Sequence, residues 1–242
     1  MRLFFIAIYL IYYYFKSLFL WPKAKTLGKK DHVQQLEYSQ YHISNALRHI
    51  LFLAGVKVKV EGIENIPKDR ACLFITNHRG YFDILLGYTT IPMRCSYIAK
   101  KEMEHMPLIA PWMRLLDCQF LDRDNIKEGM KTILTAIDLV KSGQSIVISP
   151  EGTRNTGDEL LPFHEGSFKI ATKSGCPIIP VAINNTNAVF EDQLPWIKSA
   201  KVCIEYGKPL YLEEMTKEQK KALPETTKAI IQEMYLENKK EC

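Results

Sequence analysis

The length, composition and charge of the chain exclude several classes of protein. Its 242 residues, 47% of them hydrophobic, are enough for one sizeable globular domain or for a domain with an appendage. The formal net charge of +5 suits an anionic substrate or an anionic membrane surface and is too diffuse to indicate nucleic-acid binding. The six cysteines show no Cys-x-x-Cys spacing, so we expect reduced thiols in a cytosolic compartment, with neither a disulfide framework nor a zinc site.

The first stretch of the chain has the composition of a membrane segment. Its apolar run, 3–15, resumes at 18–21 after Lys16, and the whole is just long enough to cross a bilayer if that lysine reaches the interface. No small-residue cleavage site follows, which disfavours a removed signal peptide. Four lysines follow the segment and only Arg2 precedes it, which predicts that the body lies on the cytoplasmic face of the cell membrane. Tyrosines in the segment prefer the lipid interface, so a helix buried in one leaflet remains an alternative.

A second apolar segment, 42–56, predicts a helix with one broad hydrophobic face. It is too short to span a bilayer. It could lie on the membrane surface, pair with the first helix, or belong to the core of the globular body. We therefore divide the chain into N-terminal membrane-anchoring helices at 1–55 and a catalytic body at 56–242.

Apolar strands and amphipathic helices alternate along this body. The predicted strands are 56–60, 71–75, 95–99, 118–121, 145–148, 177–183 and 201–206. The predicted helices are 79–88, 107–116, 127–141 and 167–173, followed by a solvent-facing helix from Lys217 onward. Alternating lysines mark the first strand as a sheet edge. The pattern predicts an α/β fold, with a central, mostly parallel sheet flanked by helices.

Charged side chains follow the ends of four of these strands. They are His78, Lys100, Arg123, Glu151 and Arg154. In α/β sheets the ligand crevice lies outside the carboxyl ends of the strands, so these side chains converge if the strands are parallel neighbours. The two arginines offer planar forks that suit a phosphate, and the lysine offers a flexible point charge.

The loop after the strand at 145–148 carries three candidates for binding or orienting a substrate: Glu151, named above, and the two residues that follow it. Glu151 is expected to orient an arginine or the substrate itself. Gly152 is expected to let the backbone approach a ligand closely, with its amide available as a donor. Thr153 lies beside them.

His78 lies at a strand-to-helix turn, five residues before Asp83. Within a helix, residues five apart point roughly 140° away from each other. In the first turn, after a capping Asn77, the imidazole can instead fold back over the carboxylate. An aspartate that accepts the proton of one ring nitrogen leaves the other nitrogen free to take a proton from a hydroxyl. An ordinary capping asparagine followed by a surface histidine would produce the same spacing.

Other chemistries lack their motifs in this chain. There is no Gly-rich phosphate loop ending in Lys-Ser/Thr, no His/Glu zinc spacing and no serine in a nucleophile elbow. We therefore expect no metal and no cofactor. A base without a protein nucleophile indicates direct activation of a substrate hydroxyl.

Four blocks in order resemble the glycerolipid acyltransferase family, in particular its PlsC-type 1-acyl-sn-glycerol-3-phosphate (lysophosphatidic acid) acyltransferases. The resemblance covers roughly residues 57–210. The blocks are His78–Asp83 (His-x4-Asp), Phe120–Arg123 (ending in a phosphate-binding arginine), Pro150–Arg154 (Glu-Gly-Thr-Arg) and Ile179–Val181 (the fourth block). Ser149 replaces a usual phenylalanine, which affects packing more than chemistry. The N-terminal helices also look like those of the family.

This resemblance implies a glycerol-3-phosphate acyltransferase-like fold and an O-acyltransferase of phospholipid biosynthesis. His78, oriented by Asp83, would deprotonate the sn-2 hydroxyl of 1-acyl-sn-glycerol 3-phosphate. The alkoxide would attack the thioester of acyl-CoA or acyl carrier protein, giving phosphatidic acid without an acyl-enzyme. Lys100, Arg123 and Arg154 would hold the phosphate.

Two alternatives stay open at this point. One is a different acceptor, such as glycerol 3-phosphate or another lysophospholipid. The other is a membrane protein that binds lipid without turning it over, and the intact His78 and Asp83 count against it.

Overall fold

The computed structural model describes residues 1–242. The helices are α1 (Arg2–Gly28), α2 (His32–Ala54), α3 (Phe82–Thr90), α4 (Ile109–Leu115), α5 (Ile126–Lys141), α6 (Lys169–Ser174), α7 (Lys217–Lys221) and α8 (Leu223–Asn238). The strands are β1 (Lys57–Glu61), β2 (Leu73–Thr76), β3 (Cys95–Lys100), β4 (Gln119–Leu121), β5 (Ser145–Ile148), β6 (Ile178–Asn184) and β7 (Lys201–Tyr206).

These strands form one seven-stranded sheet in the order β1-β7-β6-β2-β5-β3-β4. Every neighbouring pair is parallel except β6 and β7. Helices cover both faces, which confirms the mostly parallel α/β fold. The lysine-bearing strand β1 lies at one edge, as its alternating pattern predicts.

The side chains of the central strands alternate between two hydrophobic cores. Along β2, Leu73 and Ile75 belong to the core beneath α5, α6 and α8, while Phe74 belongs to the core beneath α2, α3 and α4. Strand β5 repeats this alternation, and all its residues are buried. A strand that is buried on both faces reads as a continuous apolar run, which is why these segments are visible in the sequence.

Two helix boundaries differ from the sequence prediction. Helix α2 begins ten residues earlier than expected, because the Asp31 carboxylate caps it by accepting the amide protons of Val33 and Gln34. Asn77 does not cap α3, which begins only at Phe82. The side chain of Asn77 is fully buried and instead extends the pairing of β2 with β6, donating to the carbonyl of Ile183 and accepting its amide proton.

The prediction for the C-terminal helix was also wrong. Helix α8 is not solvent-facing, because Leu223, Ile231, Met234 and Tyr235 are buried in the core on one face of the sheet. These apolar residues recur at helical spacing among charged ones, which gives the helix one buried face.

Helix α1 is packed on one side only. Ile6, Tyr13, Ser17 and Ala24 are buried on its inner face, and the Ser17 hydroxyl accepts a hydrogen bond of 3.0 Å from the Trp112 indole of α4. The outer apolar side chains are exposed: Phe4, Phe5, Ile8, Ile11, Phe15 and Phe19. By length and composition α1 is the one helix able to cross a membrane. This exposed apolar helix supports membrane association. The division of the chain at 55/56 and the orientation in the bilayer stay predictions.

The cysteines contradict part of the sequence expectation. Cys203 of β7 and Cys242 at the C-terminus form a disulfide, with Cα atoms 6.4 Å apart. The other four cysteines are free and buried. The pair has no recognisable spacing because 39 residues separate its members and only the fold brings them together.

We expect N-ethylmaleimide to leave the folded, unreduced protein unmodified at neutral pH. The free thiols are inaccessible, and burial raises the pKa of Cys72 to about 12 and that of Cys118 to about 11, which suppresses the reactive thiolate. After mild reduction, the half-exposed Cys242 should be labelled first. Mass spectrometry of labelled peptides measures this, and labelling of Cys242 without a reductant would contradict the disulfide.

Candidate active site

The strand ends that carry the predicted site residues lie on one side of the sheet, the side formed by the carboxyl ends of the parallel strands. Strands β6, β2, β5, β3 and β4 are parallel neighbours, so their carboxyl ends share that side. His78 follows β2, Glu151 and Arg154 follow β5, Lys100 ends β3, and Arg123 follows β4. The expected convergence of these strand ends is therefore present, and the contacts of each side chain decide what it can do.

The histidine and the aspartate form a direct pair. The His78 Nδ1 atom lies 2.7 Å from Asp83 Oδ2. Asp83 is the second residue of α3, where the chain is only entering the helix, so the five-residue spacing does not separate the side chains. The imidazole is 29% exposed and its Nε2 makes no hydrogen bond within the chain. That nitrogen can accept a proton from a substrate hydroxyl.

The Asp83 carboxylate is fixed by other donors as well. It is buried, and its Oδ2 accepts the amide protons of Arg79 at 2.7 Å and Gly80 at 3.0 Å. The hydroxyl of Thr186, just past the end of β6, donates to Oδ1. With its oxygens facing donors, the carboxylate holds the imidazole in one orientation and one tautomer.

Glu151 joins the loop after β5 to the backbone of the histidine. The buried carboxylate accepts the His78 amide proton at 2.9 Å, the Leu161 amide proton at 2.9 Å and the Asn155 side-chain amide at 3.1 Å. The Asn155 backbone amide in turn donates to the His78 carbonyl at 2.8 Å. The structure thus gives Glu151 the task of positioning the turn that carries His78, where an arginine or the substrate was expected as its partner.

Gly152 permits a close approach of two side chains to the backbone, and the predicted approach to a ligand stays a prediction. Its φ is +74°, and a Cβ atom there would lie 3.2 Å from His164 Nε2 and 3.8 Å from Arg123 Cζ. The expected free amide is not found, because Gly152 N–H donates to the Ser149 carbonyl at 3.2 Å. Thr153 is exposed and its hydroxyl makes no hydrogen bond within the chain.

Arg154 packs on the turn between the histidine and the aspartate. Its guanidinium carbon lies 4.4 Å from the centre of the Tyr81 ring, and Nη1 lies 3.3 Å from Glu191 Oε1. Glu191 also accepts the Tyr81 amide proton at 2.7 Å. A Cβ atom on Gly80 would lie only 2.6 Å from Glu191 Oε2, so a larger residue there would displace the Glu191 carboxylate. Arg154 is therefore part of the same site as His78.

Lys100 lies at the rim. Its side chain is 58% exposed and its ammonium lies 2.8 Å from Glu102. The pKa of the Glu102 carboxyl is below its usual value, chiefly because Lys100 hydrogen-bonds to it, and Arg123 contributes a smaller favourable field. Arg123 and Lys100 are thus neighbours of one carboxylate, and the role of Lys100 in phosphate binding stays a prediction.

Sequence reasoning missed several residues of this site. Thr186 lies just past the end of β6, so the strand-end argument applied to the other candidates would have found it. Glu191 lies in a short 3-10 turn that carries no sequence signal. His164 comes beside Gly152 only through the path of the long loop between β5 and α6.

The comparisons with known proteins show the family of this chain. A family model described as Acyltransferase matches residues 57–184. The chain belongs to the acyltransferase family. The 1-acyl-sn-glycerol-3-phosphate acyltransferase of Bacillus subtilis is 32% identical over 201 residues, which cover 81% of this chain and 96% of that protein. The yeast (Saccharomyces cerevisiae) protein with the same description is 30% identical over 197 residues, which cover 80% of this chain.

The chain spans 63% of the length of the yeast acyltransferase, less than two thirds of that relative. A crystal structure of the 1-acyl-sn-glycerophosphate (LPA) acyltransferase PlsC from Thermotoga maritima superposes with a TM-score of 0.79 and 25% identity. That likeness covers 99% of this chain and 98% of the other, so the shared acyltransferase fold includes the N-terminal helices.

We expect Thr186→Val to lower the free energy of unfolding by about 1–3 kcal/mol, because a buried carboxylate oxygen of Asp83 loses its donor while the shape is kept. Thr227→Val is the matched control, since that buried hydroxyl has no hydrogen-bond partner. Urea denaturation of both variants makes the measurement. Equal losses would show that the Thr186 hydroxyl does not stabilise the carboxylate.

Proposed function

We propose that this protein transfers an acyl chain from an acyl thioester to the sn-2 hydroxyl of 1-acyl-sn-glycerol 3-phosphate, producing phosphatidic acid. The observation that carries the proposal is the His78–Asp83 pair, whose Nε2 atom is free, in the same site as the guanidinium groups of Arg123 and Arg154. The acyltransferase relatives with this printed activity support the choice of acceptor.

The chemical step uses the histidine as a general base. Nε2 of His78 takes the proton of the acceptor hydroxyl as the oxygen attacks the thioester carbonyl. The new C–O bond forms, the tetrahedral intermediate collapses, and the C–S bond breaks. The departing thiolate takes the proton back from the imidazolium, so the enzyme returns to its starting state. Asp83 stabilises the imidazolium while it exists.

The developing oxyanion needs donors that are not already engaged. The amides of Arg79, Gly80 and Tyr81 donate to carboxylates within the chain. Those of Thr153 and Arg154 have no partner in the chain. We propose that these two amides donate hydrogen bonds to the oxyanion. Thr153 is then a substrate-binding residue through its backbone.

The proposal assigns the phosphate of the acceptor to two arginines, Arg154 and Arg123. Arg154 stands on the turn that carries His78, and Arg123 stands over Gly152. Guanidinium groups bind phosphate with two parallel hydrogen bonds, so they fix the distance from the phosphate to the reacting hydroxyl. Lys100 adds its charge from the rim by exchanging Glu102 for the substrate.

The location follows from the substrates. A lysophospholipid and its product partition into membranes, so a chain whose exposed helix α1 enters the bilayer meets its acceptor there. The donor, acyl-CoA or acyl carrier protein, arrives from the cytoplasm, and we propose that the catalytic body faces that side. The reaction needs neither a metal nor a further cofactor.

His78→Ala should lower turnover by about 10²–10⁴-fold, the usual contribution of a general base. Stability should change little, because Asp83 keeps the donors of Arg79, Gly80 and Thr186. The assay detects phosphatidic acid by mass spectrometry after incubation in vesicles with lysophosphatidic acid and acyl-CoA or acyl carrier protein. Glycerol 3-phosphate and other lysophospholipids are tested in parallel.

The matched control is His32→Ala, which removes the other His–Asp pair of the chain, His32 with Asp117 at 2.7 Å. It should leave turnover unchanged. Near-normal turnover in His78→Ala would refute the mechanism. If the wild type acylates a different acceptor faster, that molecule is the substrate and the reaction type stands. If it binds lipid but acylates no acceptor, the proposal that it is an enzyme is refuted.

Arg154→Ala should raise the KM for the acceptor about 10- to 100-fold, as expected for the loss of hydrogen bonds to a charged group. The KM for the thioester should not change. Arg70→Ala serves as the control, because that arginine is also exposed and ion-paired but precedes β2, at the opposite edge of the sheet. An unchanged acceptor KM would remove Arg154 from the phosphate site.

A further inference from the structure

Arg79, directly after the proposed base, is a buried cation without a carboxylate partner. The residue is only 4% exposed. Its Nη1 donates to the Gly157 carbonyl at 2.6 Å and its Nη2 to the Thr156 carbonyl at 3.0 Å. The guanidinium carbon lies 5.1 Å from the centre of the Tyr235 ring of α8. The Asn155 amide bonds the His78 carbonyl at 2.8 Å, and Arg79 adds the ties from this turn to Thr156 and Gly157.

The burial of this guanidinium is costly in free energy. Two carbonyls and an aromatic face offset only part of the lost hydration, and the buried Nε–H has no partner. A methionine or leucine would fill the same space without that cost. A charged side chain kept at such a position therefore calls for a role other than packing.

The loop has little other support at the point where Arg79 holds it. Thr156 and Gly157 are exposed, and behind them lies a polar cavity of about 330 Å³, lined among others by Asn184, Asn187 and Lys239. Two residues before Thr156, the same loop carries Arg154, whose half-exposed side chain contacts the Tyr81 ring and the largely buried carboxylate of Glu191. Without Arg79, the segment would keep the bonds of Asn155 to His78 and Glu151 but would lose those of the Thr156 and Gly157 carbonyls.

We propose that Arg79 is a positioning residue that clamps the loop 154–157 to the turn of the base, and so places Arg154 for the acceptor phosphate. This inference rests on the proposed function. The two ends of Arg79 have separate tasks. Its backbone amide donates to Asp83 whatever the side chain is, whereas the guanidinium holds the loop. Changing the side chain should therefore disturb phosphate binding and spare the base.

The kinetic test is Arg79→Met, with Arg70→Met as the matched control at an exposed arginine. In Arg79→Met the acceptor KM should rise about tenfold or more. The kcat and the KM for the thioester should stay within about twofold of the wild-type values, and the pH profile of kcat should keep its shape. General destabilisation would lower the active fraction, and so kcat, without raising KM. A fall in kcat with an unchanged acceptor KM would overturn the proposal.

A double mutant tests whether Arg79 acts through Arg154. If it does, adding Arg79→Met to Arg154→Ala raises the acceptor KM no further, because the group that the clamp positions is already gone. Additive effects of the two changes on KM would overturn this route.

Hydrogen exchange provides a readout that does not depend on activity. Amides of residues 153–158 should exchange faster in Arg79→Met than in the wild type and in Arg70→Met, while those of α3 keep their protection. Should Arg79→Met fail to fold, Arg79→Lys keeps the charge but lacks the planar fork that fits the two carbonyls, and it should show the same change in a weaker form. Unchanged exchange in a folded variant would overturn the clamp. If the wild-type protein transfers no acyl chain, the proposed function is overturned. The hydrogen-exchange comparison would still test the clamp, because it does not depend on activity.

Discussion

The buried carboxylate of Asp83 is the constraint on which the site depends. A charge in that position is stable only if donors surround it, and the chain supplies them from the imidazole of His78, from two amides of the turn and from Thr186. These donors belong to segments that follow β2 and β6. The same bonds that make the burial tolerable therefore fix the imidazole and join two strand ends.

The parallel order of the central strands supplies the rest of the geometry. Because β6, β2, β5, β3 and β4 run in one direction side by side, the segments that leave them meet at one edge. Glu151 then acts as a tie between neighbours, since its oxygens face the backbone of His78 and of the loop that follows. The loop that carries Arg154 and the turn that carries His78 are held together through backbone atoms, which are less free to move than long side chains.

The N-terminal helices pack against the catalytic body and leave one apolar face exposed. Helix α1 covers α4 with its inner face through the Trp112–Ser17 hydrogen bond and leaves an apolar outer face uncovered. Helix α2 lies against α1 and contributes Leu51 and Ala54 to the core beneath α3. The anchor and the catalytic body therefore share a hydrophobic core, so a membrane-bound α1 would hold the body beside the bilayer.

The sequence by itself determined most of the elements, because buried strands are continuous apolar runs, and it placed His78, Asp83 and Arg154 in blocks at strand ends. It also determined that α1 is apolar enough for a membrane. Only the tertiary structure decided the partners: Asn77 with Ile183, Thr186 with Asp83, and Cys203 with Cys242. These pairs are 39 to 106 residues apart, and no local pattern encodes a contact that exists only once the sheet has set the neighbours.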